Sequence, residues 1–406
     1  MVTPSSSDPK HPRLLSFTLD GWDVLGDRVS VTLSDGVAVL VGRNGAGKSA
    51  ILEGFKAISS CAVGGFNRNR QSEGDSFPKV LNIEILTPTE RHLKYTYEFL
   101  TLDIQEADIN DSAIETADES QFSWNDHCEY IDGGNEVLWT TNIGLTTLSN
   151  GNSPITAIFG ITGLGRRPQL LGNPGIKLPD EIKWIHTILS NVRIIGINPI
   201  HQKSPRRRPS LVSSKGIYPT DEIADMLSRQ ILHMKIEEFN ELSTICKRVG
   251  LSNSMSRRIF NLSGESTNKS GGKYDESVSS VLLDDVNIGL LSDGTLRVLS
   301  ILLEIITSSP SATTIIEEPE VQIHPGMLAK LLNEIESYTY GENLVLSTHS
   351  PQVVAWTSPD KINLVHRTDG KTIVRRLKED EIQNVVDYLS EEGSLGEWLY
   401  SGIVDE

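Results

Sequence analysis

Eight consecutive residues near the start of the sequence have the types and spacing that bind nucleotide phosphates. They are Gly42, Arg43, Asn44, Gly45, Ala46, Gly47, Lys48 and Ser49, and they match the pattern GxxxxGK[ST] in full. Glycines let the backbone turn so that successive N–H groups point at a β-phosphate, while the lysine adds a compact cation. The serine hydroxyl is a ligand for Mg²⁺. This segment, the P-loop, predicts binding of ATP with Mg²⁺.

A short Ser-Asp-Gly segment far downstream could bind a second part of the same ligand. Ser292, Asp293 and Gly294 precede residues with helical spacing. Backbone N–H groups and the helix dipole make such a helix start attractive to an anion. The alternative is an ordinary turn and helix cap, which has the same residue types.

Two further segments place polar side chains at the ends of apolar, strand-like runs. Glu317 and Glu318 follow residues 313–316, and His349 follows residues 344–347. The first carboxylate could hold the water shell of Mg²⁺, and the second could orient or deprotonate the attacking water. The histidine could reach a γ-phosphate. The alternatives are a solvated acidic turn and a polar histidine at a strand end.

Strands that alternate with helices are expected to position these residues, which predicts an α/β core. Strand patterns occupy residues 14–19, 29–33, 37–41, 79–102, 192–197, 313–316 and 344–347, and a hairpin is predicted over 362–374 with its turn at Asp369 and Gly370. Helical patterns occupy residues 48–58, 181–190, 220–250, 296–306 and 381–389. Residues 103–155 are acidic with little periodicity and are expected to form an insertion or loop. Residues 263–279 are of low complexity and are expected to be mobile.

Composition narrows the class of protein. The chain has 406 residues with 37 Lys+Arg and 54 Asp+Glu, a formal charge of −17, and three cysteines. Too few cysteines are present for a disulfide framework, so a reducing, cytoplasmic setting is expected. No signal peptide or transmembrane run is recognised, and no membrane contact is expected.

Two basic clusters leave DNA binding open. Arg166 and Arg167 form one cluster, and Arg206, Arg207 and Arg208 form the other, in a Pro/Ser-rich stretch. They could contact a phosphate backbone, or they could simply be solvated linkers. The acidic balance of the whole chain argues against wholesale coating of nucleic acid.

The order of these segments resembles that of the ABC-type ATPases. GRNGAGKS, LSDGT, IIEEPEVQIHP and STHSP stand in the order of the family's Walker A, signature, Walker B and switch-histidine motifs. Within the family, the sequence is most similar to the RecF/SMC-like branch and to AAA-labelled ATPases related to the OLD nucleases and phage-defence systems. The resemblance covers roughly residues 12–60 and 285–405.

The resemblance implies a fold and roles for the residues. The fold would be an ABC-ATPase-like P-loop NTPase with a mixed sheet, an N-terminal antiparallel β subdomain and a helical insertion lobe. Its segments would be 1–160, 161–285 and 286–406. Glu317 would occupy the metal position, Glu318 the catalytic-base position, and His349 the switch position. The Ser-Asp-Gly segment would act in trans, which implies a homodimer or higher even-numbered oligomer.

The resemblance also has limits. Glu317 stands where Asp is usual, no glutamine can be assigned to the Q-loop, and no heptad run is long enough for an SMC arm. The gap between Gly42 and Ser292 is far longer than a transporter domain needs.

Three functions remain open above ATP hydrolysis. The first is a phage-defence ATPase that controls a separate effector nuclease, since the segment after His349 is too short for a nuclease domain. The second is a RecF-like repair ATPase that clamps DNA. The third is a nucleotide-gated scaffold in which turnover is incidental.

Overall fold

The fold is known from a computed structural model of the chain. The residues that the structure describes are 11–63, 77–101, 122–142, 145–150, 153–158, 180–195, 212–213, 223–265, 273–308, 312–338, 343–378 and 381. They form two compact units. The first unit comprises Met1–Ile194, Ser309–Ile315 and Gly341–Glu406, and the second comprises Ile195–Ser308 and Ile316–Tyr340.

Strands and helices alternate over much of the chain. The strands are β1 (Arg13–Asp20), β2 (Val29–Thr32), β3 (Val37–Val41), β4 (Val80–Leu86), β5 (His92–Thr101), β6 (Phe122–Tyr130), β7 (Glu136–Asn142), β8 (Leu145–Asn150), β9 (Ser153–Ile158), β10 (Val192–Ile195), β11 (Val212–Ser213), β12 (Met255–Glu265), β13 (Lys273–Leu283), β14 (Val286–Asn287), β15 (Thr313–Glu317), β16 (Asn343–Thr348), β17 (Ile362–Thr368) and β18 (Lys371–Arg376). The helices are α1 (Lys48–Ala62), α2 (Asp180–Ser190), α3 (Ile223–His233), α4 (Ile236–Val249), α5 (Asp293–Thr307), α6 (Pro325–Tyr338) and α7 (Pro351–Trp356). None of the described helices is long and apolar enough to cross a membrane.

The first unit contains two sheets. One has the strand order β2-β1-β4-β5-β6-β7-β8-β9, and the other has the order β10-β15-β16-β3-β17-β18. The last residue of β10 and the last two residues of β15 are counted with the second unit. In the second of these sheets, β3 pairs in parallel with both β16 and β17, whereas β17 and β18 are antiparallel. Together with the helices of the second unit, this confirms the predicted α/β class with a mixed sheet, an antiparallel β subdomain and a helical lobe.

The core of the first unit joins α1 to β1. Residues of α1 at helical spacing, including Ile51, Leu52 and Phe55, are fully buried, as their periodicity predicted. The ring of Phe55 stacks on that of Phe17, with the ring centroids 4.2 Å apart. Because α1 begins at the end of the P-loop, this contact fixes the helix whose first turn belongs to the candidate site.

The interpretation of residues 103–155 as an insertion or loop is wrong for much of this stretch, which contains β6, β7 and β8 and the start of β9. The buried face of β6 consists of Trp124, Asp126, Cys128 and Tyr130. A carboxylate in the middle of this face interrupts the apolar alternation that reveals a strand in a sequence. The Tyr95 hydroxyl donates to Asp126 Oδ2 at 3.1 Å, and burial raises the pKa of this carboxyl group.

The second unit combines helices with a small sheet. Its strand order is β11-β13-β12, and β14 pairs with β13. In this unit α4 packs against both α5 and α6. Arg248 on α4 donates Nε and Nη2 to Glu334 on α6 at 2.9 and 2.6 Å. Parts of residues 263–279, which were expected to be mobile, lie in the strands β12 and β13. These strands pair along eleven antiparallel positions, which the low-complexity composition does not predict.

The helix predicted over residues 220–250 is two helices. The first helix, α3, ends at His233, and Lys235 is the N-cap residue of α4 with an extended backbone. The backbone N–H group of Lys235 donates to the Glu238 carboxylate at 3.1 Å. Gly250 ends α4 in the left-handed conformation with φ 81°, as predicted. The apolar spacing in the sequence continues across residues 234 and 235, so it does not show that one helix ends and another begins there.

The C-terminal predictions have mixed outcomes. The hairpin of β17 and β18 is confirmed, with Asp369 and Gly370 at φ 51° and 79° in its turn. The helix predicted over residues 381–389 lies outside the described residues apart from residue 381, which is helical.

Replacing Phe55 with Ala tests the importance of the contact between α1 and β1. We expect Phe55→Ala to lower the free energy of unfolding by about 3–5 kcal/mol, because a fully buried ring is lost and a cavity remains. Denaturant unfolding measures this. The matched control is Phe260→Ala, since Phe260 is 46% exposed. A loss for Phe55→Ala as small as that of the control would contradict this assignment of the core.

Candidate nucleotide-binding site

The P-loop of the first unit joins a buried strand to a helix. Strand β3 ends at Val41, and α1 begins at Lys48. Between them, Gly45 and Gly47 have positive φ values of 81° and 104°. Residues with a side chain rarely adopt positive φ values, so these glycines allow the backbone to turn between strand and helix. This is the strand–loop–helix context that the sequence predicted.

Two glycines of the P-loop are required by close contacts with the neighbouring hairpin. A Cβ atom at Gly42 would lie 2.1 Å from the carbonyl oxygen of Val365 on β17, and one at Gly47 would lie 2.5 Å from Thr372 Oγ1 on β18. Any other residue at either position would push the loop away from the sheet. The loop is therefore seated directly on β17 and β18.

Lys48 closes the loop on itself. Its side chain is 5% exposed, and Nζ donates to the carbonyl oxygens of Gly42 at 2.7 Å and Arg43 at 3.1 Å. This ammonium group thus lies over the mouth of the loop with its charge directed at backbone oxygens. A phosphate oxygen is a stronger acceptor for an ammonium group than a neutral carbonyl, so a bound phosphate could take over these bonds.

The start of α1 fits an anion. The residue before this 15-residue helix is Gly47, and no side chain caps the helix. The first N–H groups of a helix lack partners within the helix, and the dipole favours negative charge beside them. Ser49 is exposed in this first turn, and a Cβ atom at Gly45 would meet no atom of the described residues within 4 Å. These features suit a phosphate with Mg²⁺ at the serine hydroxyl.

His349 follows the strand next to the P-loop strand. Strand β16 is buried along its whole length and pairs in parallel with β3, with Thr348 opposite Val41. His349 and Gly42 are therefore the residues that directly follow two paired positions. The carboxyl ends of parallel strands meet at one edge of a sheet, so the histidine stands at the same sheet edge as the P-loop.

In the second unit, Ser292 is the N-cap of α5. Its Oγ accepts from the backbone N–H of Thr295 at 3.1 Å and lies 2.7 Å from Thr295 Oγ1. The sequence left open whether this segment is a helix cap or an anion site. The cap is present in the structure, and a role toward a nucleotide stays a prediction.

The two glutamates of the second unit stand at the end of β15. Glu317 is its last residue, and Glu318 has φ 43°, a left-handed conformation. Such a conformation costs on the order of 1–3 kcal/mol in a residue with a side chain. The chain then turns sharply, since the N–H of Val321 donates to the Glu318 carbonyl at 3.1 Å. Residues 317–322 are called the acidic turn below.

Arg297 holds the acidic turn and was missed by the sequence analysis. Its Nη2 donates to the carbonyl oxygen of Glu317 and, at 3.2 Å, to that of Glu318. Burial lowers the pKa of Arg297, while the charges of Glu317, Glu320 and Glu318 oppose this shift. A guanidinium group stays protonated at neutral pH. The sequence carries no signal for this contact, because the partners of Arg297 are backbone carbonyl oxygens.

The described residues hold no cluster of three or more His, Cys, Asp or Glu side chains that could bind a metal ion by themselves. Mg²⁺ is usually bound through one or two protein ligands together with substrate phosphates. The predicted ligands, Ser49 and Glu317, are of this kind. The basic residues Arg166, Arg167, Arg206, Arg207 and Arg208 lie outside the described residues.

Comparison with protein families gives a partial match. Residues 202–355 match the family described as AAA domain, putative AbiEii toxin, Type IV TA system. This is less than half of the chain. The matched part contains the Ser-Asp-Gly segment, both glutamates and His349, but not the P-loop. It supports a nucleotide-binding ATPase of the AAA or ABC type.

Solved structures of SMC head domains are similar over most of their length. The SmcHead bound to the C-winged helix domain of ScpA is 15% identical, with 91% of this chain and 99% of that chain covered and a TM-score of 0.43. The Smc head domain with an extended coiled coil bound to the C-terminal domain of ScpA, from Pyrococcus furiosus, is 15% identical, with 94% and 100% covered and a TM-score of 0.42. The comparison with curated proteins gives no match.

Replacing Lys48 tests the phosphate site. We expect Lys48→Ala to abolish ATP binding, because the cation over the loop is lost. Isothermal titration of ATP with Mg²⁺ measures this, and Lys183→Ala is the control, since Lys183 is an exposed lysine with a local ion pair to Asp180. Tight ATP binding by Lys48→Ala would exclude the P-loop as the nucleotide site.

Proposed function

We propose that the chain binds ATP with Mg²⁺ and hydrolyses it to ADP and phosphate. The P-loop carries this proposal: a loop that lies against β17 and β18 at Gly42 and Gly47, where a Cβ atom would clash, followed by an uncapped helix start. Such an arrangement suits phosphate binding through backbone N–H groups and the helix dipole. The family match over the downstream motifs supports it.

Each residue of the P-loop would have a distinct task. Backbone N–H groups from Gly45 to Ser49 would donate to the β-phosphate. The ammonium group of Lys48 would leave the carbonyls of Gly42 and Arg43 and donate to phosphate oxygens instead. Mg²⁺ would neutralise phosphate charge, with Ser49 and Glu317 as its protein ligands.

Hydrolysis needs a base and a group that responds to the γ-phosphate. Glu318 would accept the proton of the attacking water. His349 would donate to the γ-phosphate from the end of β16. The left-handed backbone of Glu318 directs its side chain differently from an extended strand. Such strained conformations are often found in catalytic residues.

We propose further that the working form is a dimer that acts with a separate partner protein. Ser292, Asp293 and Gly294 would contact the ATP held by the second copy, as the resemblance to ABC-type ATPases implies. The name of the matched family, putative AbiEii toxin of a Type IV TA system, favours a defence role. The partner would then be an effector, which we propose to be a nuclease.

The substitution Glu318→Gln tests hydrolysis separately from binding. We expect about 10²–10⁴-fold slower phosphate release, because the base is removed, with ATP still bound and the dimer stabilised. Phosphate release and light scattering after gel filtration measure the two effects. Glu336→Gln, an exposed position on α6, is the matched control. Hydrolysis by Glu318→Gln at the wild-type rate would show that Glu318 is not the base.

Added DNA separates the defence role from a DNA-clamping role. For the defence role we expect an unchanged ATPase rate when duplex DNA is added at about 50 mM and about 200 mM salt, two conditions between which phosphate contacts weaken strongly. Stimulation that disappears at the higher salt would favour a DNA clamp instead. If the Glu318→Gln protein is fully functional in cells, turnover is incidental and the chain is a nucleotide-gated scaffold.

A further inference from the structure

The first turns of α5 touch the acidic turn at two places. At the start of that turn, Arg297 donates to the carbonyl oxygens of Glu317 and Glu318. At its end, a Cβ atom at Gly294 would lie 2.1 Å from the carbonyl oxygen of Gln322. The helix therefore holds the acidic turn by one cationic contact and one close backbone contact.

Both contacted ends of the acidic turn have unfavourable backbone conformations. Glu318 has φ 43° and Gln322 has φ 63°. A left-handed residue that has a side chain persists only where its surroundings enforce the conformation. Bonds from a guanidinium group to carbonyl oxygens are charge-assisted and stronger than neutral ones. Arg297 is thus placed to hold the peptide groups on both sides of the Glu318 Cα atom.

The same helix carries the Ser-Asp-Gly segment. Ser292 caps α5 at its first turn, and Arg297 lies in the next turn. The Ser-Asp-Gly segment and the peptide groups on both sides of the Glu318 Cα atom therefore belong to one connected piece of the second unit. A displacement of the start of α5 would therefore move the backbone of Glu318.

We propose that Arg297 is a positioning residue, which sets the direction of the Glu318 carboxylate through the backbone and couples it to the Ser-Asp-Gly segment of its own chain. The proposal rests on the proposed ATPase function. Arg297 does not touch the ATP in this account. It determines whether the base that Glu318 provides is in place.

Arg297→Met removes the donors and keeps most of the side-chain volume. We expect the kcat for ATP hydrolysis to fall about 10–100-fold while the Kd for ATP stays within about twofold, because Lys48 and the P-loop are untouched. Arg297→Lys keeps a cation and should regain much of the lost rate. Each rate is divided by the concentration of protein that binds ATP, so that any unfolded fraction is removed from the comparison.

Arg248→Met is the matched control. Arg248 also makes two hydrogen bonds, to Glu334 between α4 and α6 of the same unit, but it is remote in sequence from the acidic turn. We expect this variant to lose thermal stability at an unchanged kcat. If Arg297→Met keeps the wild-type kcat, or if it changes only the melting temperature as Arg248→Met does, the proposal is overturned.

Mixed dimers show on which chain Arg297 acts. In a mixture of Lys48→Ala and Ser292→Arg chains, one site per mixed dimer keeps an intact P-loop and an intact Ser-Asp-Gly segment, so about a quarter of the activity should return. In a mixture of Lys48→Ala and Arg297→Met chains, the site with the intact P-loop uses the Glu318 that Arg297→Met has disturbed. We expect no recovery there. Recovery equal to that of the Ser292→Arg mixture would show that Arg297 acts on the partner's site, which contradicts the proposal.

The wild-type rate separates the proposed ATPase function from the proposed role of Arg297. A wild-type chain that releases no phosphate overturns the proposed function and the role of Arg297 with it. A wild-type chain that hydrolyses ATP beside an equally active Arg297→Met variant overturns only the positioning role.

Discussion

The close approach of neighbouring segments to the backbone at glycines is the constraint on which both units of this protein depend. Gly42 lies against the carbonyl of Val365, Gly47 against Thr372, and Gly294 against the carbonyl of Gln322. At each position a side chain would force two segments apart. The P-loop can sit on β17 and β18, and α5 on the acidic turn, because a Cβ atom is missing at the point of contact. This requirement is steric and independent of any ligand, although it leaves the backbone N–H groups of the P-loop arranged for one.

Electrostatics adds a second common feature. In the first unit the ammonium group of Lys48 bonds to carbonyl oxygens of its own loop, and in the second the guanidinium group of Arg297 bonds to carbonyl oxygens of the acidic turn. Both cations are largely removed from water, and both are held by neutral acceptors. Lys48 can exchange these acceptors for phosphate oxygens. Arg297, with its planar fork of donors, is better suited to a fixed structural bond.

The sequence predicted what local residue types determine. The P-loop, the stop at Gly250 and the turn at Asp369 and Gly370 each depend on residues within one or two turns of chain, and the structure has the corresponding local geometry. The cap at Ser292 was one of two alternatives that the sequence left open. The roles of Glu317, Glu318 and His349 stay predictions, although each stands at the end of the strand where the sequence placed it.

The sequence could not predict what depends on pairing between distant segments. Strand β6 was missed because Asp126 occupies its buried face, where the Tyr95 hydroxyl from the neighbouring strand donates to it. The long pairing of β12 with β13 gives order to a segment of low complexity. Arg297 looked like any polar residue of a helix, since its partners are carbonyl oxygens some twenty residues away and carry no side-chain signal.

Phosphate release from ATP by the purified wild-type chain, measured over a range of protein concentrations, tests the central claim most directly. We expect sustained release that requires Mg²⁺, at a rate per chain that rises with protein concentration as dimers form and then levels off. The absence of release above the buffer blank at every concentration would contradict it.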